Sequence, residues 1–124
     1  MAKTSHDDVL DGSLNIVKNA ATQICVCSAQ PTTYAEAVTT YMLAIKSDLT
    51  SASFTGPADD TSGRKLTVNA QAAVPITNGG TAIYIALCDV DDRLLEVTTC
   101  TSQLLAENNT VTIPAFKIGF ADPT

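Results

Sequence analysis

The chain contains a single histidine, His6, and this limits the chemistry open to it. Catalysis by histidine, by Ser-His-Asp systems or by Cys-His pairs needs a histidine held by a partner inside a formed site. His6 is instead followed by Asp7 and Asp8, a pattern typical of an exposed helix start. Reading these three side chains as metal ligands requires a second ligand cluster, which the sequence does not show. His6 is therefore predicted to be exposed.

The cysteines are the second candidates for chemistry: Cys25, Cys27, Cys88 and Cys100. Cys25 and Cys27 are expected on one face of a strand, because strand side chains alternate with period two. Cys88 and Cys100 stand at facing ends of a predicted hairpin and are expected to lie near each other. A zinc site and an inter-strand disulfide both stay open, although structural zinc prefers Cys-x-x-Cys spacing. Buried free thiols are the favoured interpretation for a chain made in a reducing cytoplasm.

Three further segments contain residue types used in binding sites. The acidic turn at residues 89–92 resembles the start of a calcium loop, but it lacks the glycine and glutamate that complete an EF-hand. Residues 56–65 combine glycines with Arg64 and Lys65, at a spacing that does not match a phosphate loop. Residues 108–110 match a glycosylation acceptor and are interpreted as a turn. We predict no catalytic, cofactor-binding or metal-binding residue, and we expect the chain not to be an enzyme.

Composition narrows the class of protein and its partners. The 124 residues, 45% of them hydrophobic and 16% charged, predict a single folded domain spanning residues 1–124. The formal net charge of −6 argues against nucleic acid and against an anionic membrane surface as partners. Threonine occurs 18 times and favours strands. The first residues lack the apolar stretch of a signal peptide, so synthesis in a cytoplasm is expected.

The first half of the chain predicts a helix and then short extended segments. Residues 6–21 carry apolar side chains at near-helical spacing. These side chains are Val9, Leu10, Leu14, Ile16 and Val17. Residues 24–28 predict a short strand, and residues 33–46 mix helix and strand formers, so we interpret them as a loop with a helical turn that leads into an extended stretch. Residues 56–63 predict a surface turn.

Residues 64–120 predict an antiparallel β core. The first strand alternates, with a buried face made of Leu66, Val68 and Ala70. Residues 81–89 are apolar on both faces, which predicts a central strand that forms a hairpin with residues 93–100. One face is predicted to carry Ile83, Ile85 and Leu87, and the other Ala82, Tyr84, Ala86 and Cys88. A last strand, residues 110–120, changes phase at Pro114, where a bulge or edge is expected. The predicted fold is mainly β, an antiparallel sandwich or barrel with an N-terminal α-helix.

A succession of short segments characterises the whole chain. They are HDDVLD at 6–11, CSAQPTTY at 27–34, GPADDTSGRK at 56–65, GTA at 80–82, VTTC at 97–100 and ADPT at 121–124. This succession resembles small virion proteins of tailed bacteriophages over nearly the full chain. The resemblance implies a structural protein of the particle, and first a head decoration or cement protein bound to the major capsid protein. It carries no functional residues with it.

The resemblance also sets expectations for partners and place. Copies are expected to self-associate as a homo-oligomer around a symmetry axis, on the capsid surface of a virion assembled from chains made in the host cytoplasm. The predicted helix and residues 33–55 are the expected contact segments. One alternative is a neck, head–tail connector or tail component. Another is a ligand- or glycan-binding β module, against which the absence of tryptophan counts, with Tyr34, Tyr41 and Tyr84 as the tyrosines.

Overall fold

The computed structural model describes residues 7–60, 63–89 and 93–120. It is mainly β, with 55% strand and 21% helix, and an N-terminal helix precedes antiparallel sheets, which confirms the predicted fold class. The helix and strands are, in chain order, α1 Asp7–Ala20, β1 Ala21–Cys27, β2 Met42–Lys46, β3 Phe54–Asp59, β4 Arg64–Val68, β5 Gln71–Pro75, β6 Gly80–Asp89, β7 Leu94–Leu105, β8 Thr110–Ile113 and β9 Phe116–Phe120.

Helix α1 lies within the predicted residues 6–21 and packs one face onto the sheets. Leu14 and Val17 are buried there, one turn apart. Val9 and Ile16, predicted as part of the same apolar set, are instead 64% and 56% exposed. Successive helical residues are rotated by about 100°, so a side chain one position before a buried one points away from the core. The helix therefore has an anchored face and a separate, partly apolar outer face.

The largest sheet has the strand order β2-β1-β6-β7, so β6 is the central strand that its sequence predicts. All its pairings are antiparallel. Ile85 and Leu87 of β6 lie on the face toward the main core, and Ala86 and Cys88 lie on the other face. Ala82 was predicted on the cysteine face and packs instead in the main core, beyond the irregularity between Ala82 and Tyr84 where the pairing of β6 with β7 shifts.

The antiparallel core is not confined to residues 64–120 as predicted, because β1, β2 and β3 also belong to it. Strand β1 also begins earlier than the predicted residues 24–28. The ambiguous segment resolves into a π-helical turn, Glu36–Thr40, followed by β2. The Glu36 carboxylate accepts hydrogen bonds from the hydroxyl of Thr32 at 2.7 Å and from its backbone N–H at 2.8 Å, which lower the pKa of Glu36.

A second sheet has the order β3-β4-β9. The surface turn predicted at residues 56–63 begins later than expected, because the first part of this segment belongs to β3. Strand β3 continues to Asp59, past a register shift between Thr55 and Ala58. Gly56 has φ +109°, and a Cβ there would lie 3.1 Å from the carbonyl oxygen of Lys65, so glycine makes this bulge possible. Ala70, predicted on the buried face of β4, is exposed because the strand ends at Val68.

The predicted last strand, residues 110–120, divides at Pro114. Strand β8 pairs with β5, whereas β9 pairs with β4 in the second sheet. Proline cannot donate to a ladder, and here the interruption moves the chain from one sheet to another. The break was predicted, but the change of sheet was not.

The main core contains buried side chains from α1 and from every strand of the described residues. A smaller cluster on the opposite face of β1 and β6 is built around buried cysteines and covered by the π-helical turn. The sheets do not close into a complete barrel, since within the described residues no strand pairs with the outer edge of β7.

Candidate functional site

An open cleft lies where the sheets fail to close. Strands β7 and β8 are joined by a short turn at residues 106–109 and then separate, because β7 pairs with β6 and β8 pairs with β5. Between them, the cleft encloses about 600 Å³ and has Val26 and Ile85 among its lining residues. Cys100 of β7 and Phe116 of β9 line it as well. A cleft of this size is in the range of small-molecule sites.

The polar lining of the cleft is almost entirely uncharged. Threonine hydroxyls and a glutamine come from β7 and β8: Thr98, Thr99, Thr101, Gln103 and Thr112. Among the described lining residues, Lys117 is the charged one, and its Nζ lies 2.8 and 2.9 Å from the carboxylate oxygens of Asp60. The cleft can therefore receive an uncharged, partly apolar group that accepts or donates hydrogen bonds. The cleft was not predicted from the sequence, because it arises from the pairing of β7 with β6 and of β8 with β5.

The structure brings three of the cysteines together and separates the fourth. Cys25, Cys27 and Cys88 are fully buried in the smaller cluster, so the expected shared face of Cys25 and Cys27 is present. Cys100 packs against the main core, on the opposite side of the sheet from Cys88. The expected proximity of Cys88 and Cys100 is wrong, because Cys88 is opposite Leu94 near the hairpin turn, whereas Cys100 follows Thr99, the partner of Tyr84. All four are free thiols, and within the described residues no three or more His, Cys, Asp or Glu side chains are arranged so that they could hold a metal ion.

Burial governs the behaviour of these thiols. The Cys27 thiol donates a hydrogen bond to the Ala37 carbonyl at 3.6 Å, and burial raises the pKa of Cys27 to about 12. The hydrogen bond between Cys25 and Cys88 raises the pKa of Cys25 and lowers the pKa of Cys88. Cys88 is nevertheless fully buried, so reagents do not reach it in the folded protein. Burial also raises the pKa of Cys100, which is partly exposed.

We expect iodoacetamide to modify Cys100 alone in the folded protein at pH 9. Alkylation needs an accessible thiolate, and Cys100 is partly exposed, whereas Cys27 is fully buried and its pKa of about 12 keeps it protonated at pH 9. Unfolding in guanidinium exposes the remaining cysteines, and mass spectrometry then finds all four modified. A Cys100→Ala variant is the control and takes up no reagent while folded. Rapid modification of Cys25 or Cys27 in the folded protein would contradict the buried cluster.

The acidic turn begins with a buried carboxylate rather than an exposed one. Asp89 is 1% exposed, accepts a hydrogen bond from the backbone N–H of Arg93 at 2.9 Å, and forms a salt bridge with the Arg93 side chain. Its described contacts therefore stabilise the start of the β6–β7 hairpin. Residues 90–92 and His6 lie outside the described residues. The expectations that the acidic turn is not a calcium loop and that His6 is exposed therefore stay predictions.

Arg64, from the dismissed phosphate-loop segment, connects α1 to the second sheet. Its guanidinium donates to Asp11 of α1 at 2.8 Å and to Asp59 of β3 at 2.6 Å. These hydrogen bonds raise the pKa of Arg64. Asn108 has φ +69° in the turn between β7 and β8, in agreement with the turn interpretation of residues 108–110. The contacts of Arg64 therefore hold α1 against the second sheet, and Asn108 shapes the turn between β7 and β8.

The tyrosines do not form a flat platform for a ligand. Tyr34, Tyr41 and Tyr84 are all partly buried against the smaller cluster, and the Tyr34 hydroxyl donates to Gln23 at 3.0 Å. The aromatic ring in the cleft is that of Phe116.

The outer face of α1 is a second candidate surface. Val9 and Ile16 lie two turns apart, and Ile16 borders a shallow, open depression that also contacts Asn19 and Arg93. Gly12 lies between them, and a Cβ at this position would meet no atom within 4 Å. Glycine in a helix interior costs about 1 kcal/mol relative to alanine, and no contact within the described chain accounts for it.

Comparison with known proteins gives no match: no family model, no curated protein and no solved structure corresponds to this chain. Among the described residues, no helix has the length and apolar character needed to cross a membrane.

Proposed function

We propose that this chain is a structural protein of a tailed-phage particle, a head decoration or cement subunit that binds and stabilises the shell of the major capsid protein. The observation that carries the proposal is the outer face of α1, where Val9 and Ile16 stand 64% and 56% exposed on a helix anchored from beneath by Leu14 and Val17. A rigid element that presents apolar side chains to solvent is suited to docking on another protein. The sequence resemblance to phage virion proteins supports a capsid protein as the partner.

Charge supports an outer position on the particle. The net charge of −6 is repelled by packaged DNA, which favours the capsid surface over the interior. Under this proposal the chain is made in the host cytoplasm and is then placed on the virion.

Replacing Val9 and Ile16 together by serine is expected to weaken binding to preformed empty shells at least about tenfold, because apolar contact is lost. The measurement is co-sedimentation of the full chain with shells of the particle's major capsid protein. Deleting the helix is a poor test, since Leu14 and Val17 belong to the core. A double variant of the exposed Ala70 and Ala106 to serine is the matched control and should bind like the wild type.

Unchanged binding by the Val9→Ser, Ile16→Ser variant would refute the docking face. The number of copies per particle then distinguishes the two structural roles. Hundreds of copies would support head decoration, and about a dozen would support a neck or tail position. If purified particles contained no copies, both roles would be excluded.

Ligand binding is the second candidate function, and the cleft between β7 and β8 favours it. Its uncharged lining fits a neutral molecule, although Phe116 offers one ring where glycan sites use several. Protection of Cys100 from iodoacetamide by neutral oligosaccharides, with matching thermal stabilisation, would support this role over the structural one.

A further inference from the structure

The floor of the cleft between β7 and β8 is part of the main core, left open because the two strands pair with different partners. Val26 of β1 and Ile85 of β6 belong to that core and also line the cleft. Leu105 and Ile113 line it beside the turn that joins β7 to β8, and both are buried. A ligand that enters the cleft therefore meets aliphatic side chains at its base, where an apolar group gains free energy by leaving water.

The rim of the cleft is polar and neutral. Thr99, Thr101 and Gln103 of β7 and Thr112 of β8 line the cleft and are exposed. Hydroxyl and amide groups both donate and accept hydrogen bonds. An aliphatic floor below a neutral, hydrogen-bonding rim matches a molecule with an apolar body and one uncharged polar end.

The charges around the cleft disfavour ionic ligands. The described lining residues include no carboxylate, so a cation finds no counter-charge among them. The cation among them is Lys117, and both carboxylate oxygens of Asp60 contact its Nζ, so an anion has to compete with that ion pair. A charged group that enters the cleft loses hydration without gaining a partner of its own, and this costs free energy. A neutral ligand avoids this cost.

The apolar floor also distinguishes this ligand from a sugar. Phe116 supplies the aromatic ring among the described lining residues, and it packs against the main core. A sugar carries hydroxyl groups around its whole ring. Those placed against Val26 and Ile85 would have no hydrogen-bond partner there, which is unfavourable. An aliphatic body loses no hydrogen bonds at the same place.

We propose that the cleft between β7 and β8 binds an uncharged amphiphile, a molecule with an aliphatic body and a single hydroxyl or amide end. The aliphatic body lies on the core floor, and the polar end bonds to the threonines and the glutamine of the rim. The volume of about 600 Å³ is sufficient for such a molecule. This inference rests on the second candidate function, ligand binding, and names its ligand class. It does not depend on the binding of shells.

Octanol is the probe, with octanoate and octylammonium as counterparts that carry the same chain and opposite charges. Occupancy of the cleft is measured from the rate at which iodoacetamide modifies Cys100 at pH 9, because Cys100 lines the cleft. We expect octanol to protect Cys100 and to bind at least about tenfold more tightly than either charged counterpart. The net charge of −6 attracts octylammonium, so general electrostatics cannot explain a preference for octanol.

Replacing Thr98 by tryptophan tests where octanol binds. Thr98 is the cross-strand partner of Ile85, so its side chain lies on the cleft face of β7, and an indole there fills the cleft. Isothermal titration calorimetry should show at least about tenfold weaker binding of octanol. Thr110→Trp is the matched control, because it makes the same change at an exposed position of β8 outside the cleft lining. It should bind octanol like the wild type, and circular dichroism checks that both variants fold.

Amide chemical shifts of the wild type, measured by NMR, test the place of binding without a variant. Addition of octanol should change the shifts of residues on β7 and β8. Changes confined to α1 would overturn the proposal. So would equal binding of the three probes, a failure of octanol to protect Cys100, or unchanged binding of octanol by a folded Thr98→Trp variant.

Two further results separate this inference from the proposed functions. Neutral oligosaccharides that protect Cys100 where octanol does not would support ligand binding and refute the ligand class named here. The Val9→Ser, Ile16→Ser variant should bind octanol like the wild type, because the outer face of α1 is a separate surface. Loss of shell binding by that variant, with octanol binding retained, would support both the docking face and the cleft. Loss of octanol binding by the same folded variant would place the octanol site on α1 and overturn the inference.

Discussion

Replacing Leu66 by alanine is expected to lower the free energy of unfolding by about 3 kcal/mol, from the range measured for buried leucines. Leu66 is fully buried in the middle of β4, which pairs with both β3 and β9. The substitution removes packing between the second sheet and the rest of the core and leaves a cavity. Urea denaturation followed by circular dichroism measures the change. Since small domains have about 5–15 kcal/mol of stability in total, the loss is large.

The same substitution at Leu104 is the matched control. Leu104 is 79% exposed, so Leu104→Ala should change the stability of dilute, monomeric protein by less than about 0.5 kcal/mol. Equal losses of stability at the two positions would mean either that Leu66 is not buried in the core or that Leu104 is not exposed on β7.

Changing Asp89 to asparagine is expected to cost about 2 kcal/mol of stability, the scale of a hydrogen bond to a charged group. Asp89 is 1% exposed, and its two carboxylate oxygens accept from the backbone and the side chain of Arg93. Asparagine keeps the size of the side chain but loses the charge and replaces one acceptor by a donor. The measurement is again the free energy of unfolding in urea.

Asp48→Asn provides the comparison for this prediction, because Asp48 is exposed and the chemical change is identical. We expect it to have little effect. If Asp89→Asn were as stable as Asp48→Asn, the buried carboxylate would not stabilise the hairpin, and the acidic turn would again be open to a role in binding.

Local patterns in the sequence were sufficient to predict several elements. The spacing of Leu14 and Val17 predicted α1, and the two apolar faces of residues 81–89 predicted a central strand. Pro114 predicted the interruption of the last strand. Each of these depends on residues close together in sequence, where helix and strand periods act directly.

Register could not be predicted in the same way. The face that Ala82 occupies depends on the irregularity between Ala82 and Tyr84, and no residue type near Ala82 indicates it. At Gly56 the turn residues were visible, but they form a bulge inside β3 rather than the end of a strand.

The candidate surfaces were harder to predict than the fold. The cleft exists because β7 pairs with β6 whereas β8 pairs with β5. Such pairing depends on contacts between distant parts of the chain. Helix α1 was predicted as a contact segment, but the sequence did not show which of its apolar side chains face outward. Val9 and Ile16 follow the same near-helical spacing as the buried Leu14 and Val17, so they were assigned to one apolar set.

The pairing of β4 with β9 has a consequence for how the protein is made. Leu66 and Ile118 are register partners, although about fifty residues separate them. During synthesis β4 emerges well before β9, the strand that completes its sheet. Until then, the apolar side chains of β3 and β4 lack the packing that β9 provides. Contacts this distant in sequence also slow folding. Folding of the second sheet therefore completes only after β9 has been synthesised.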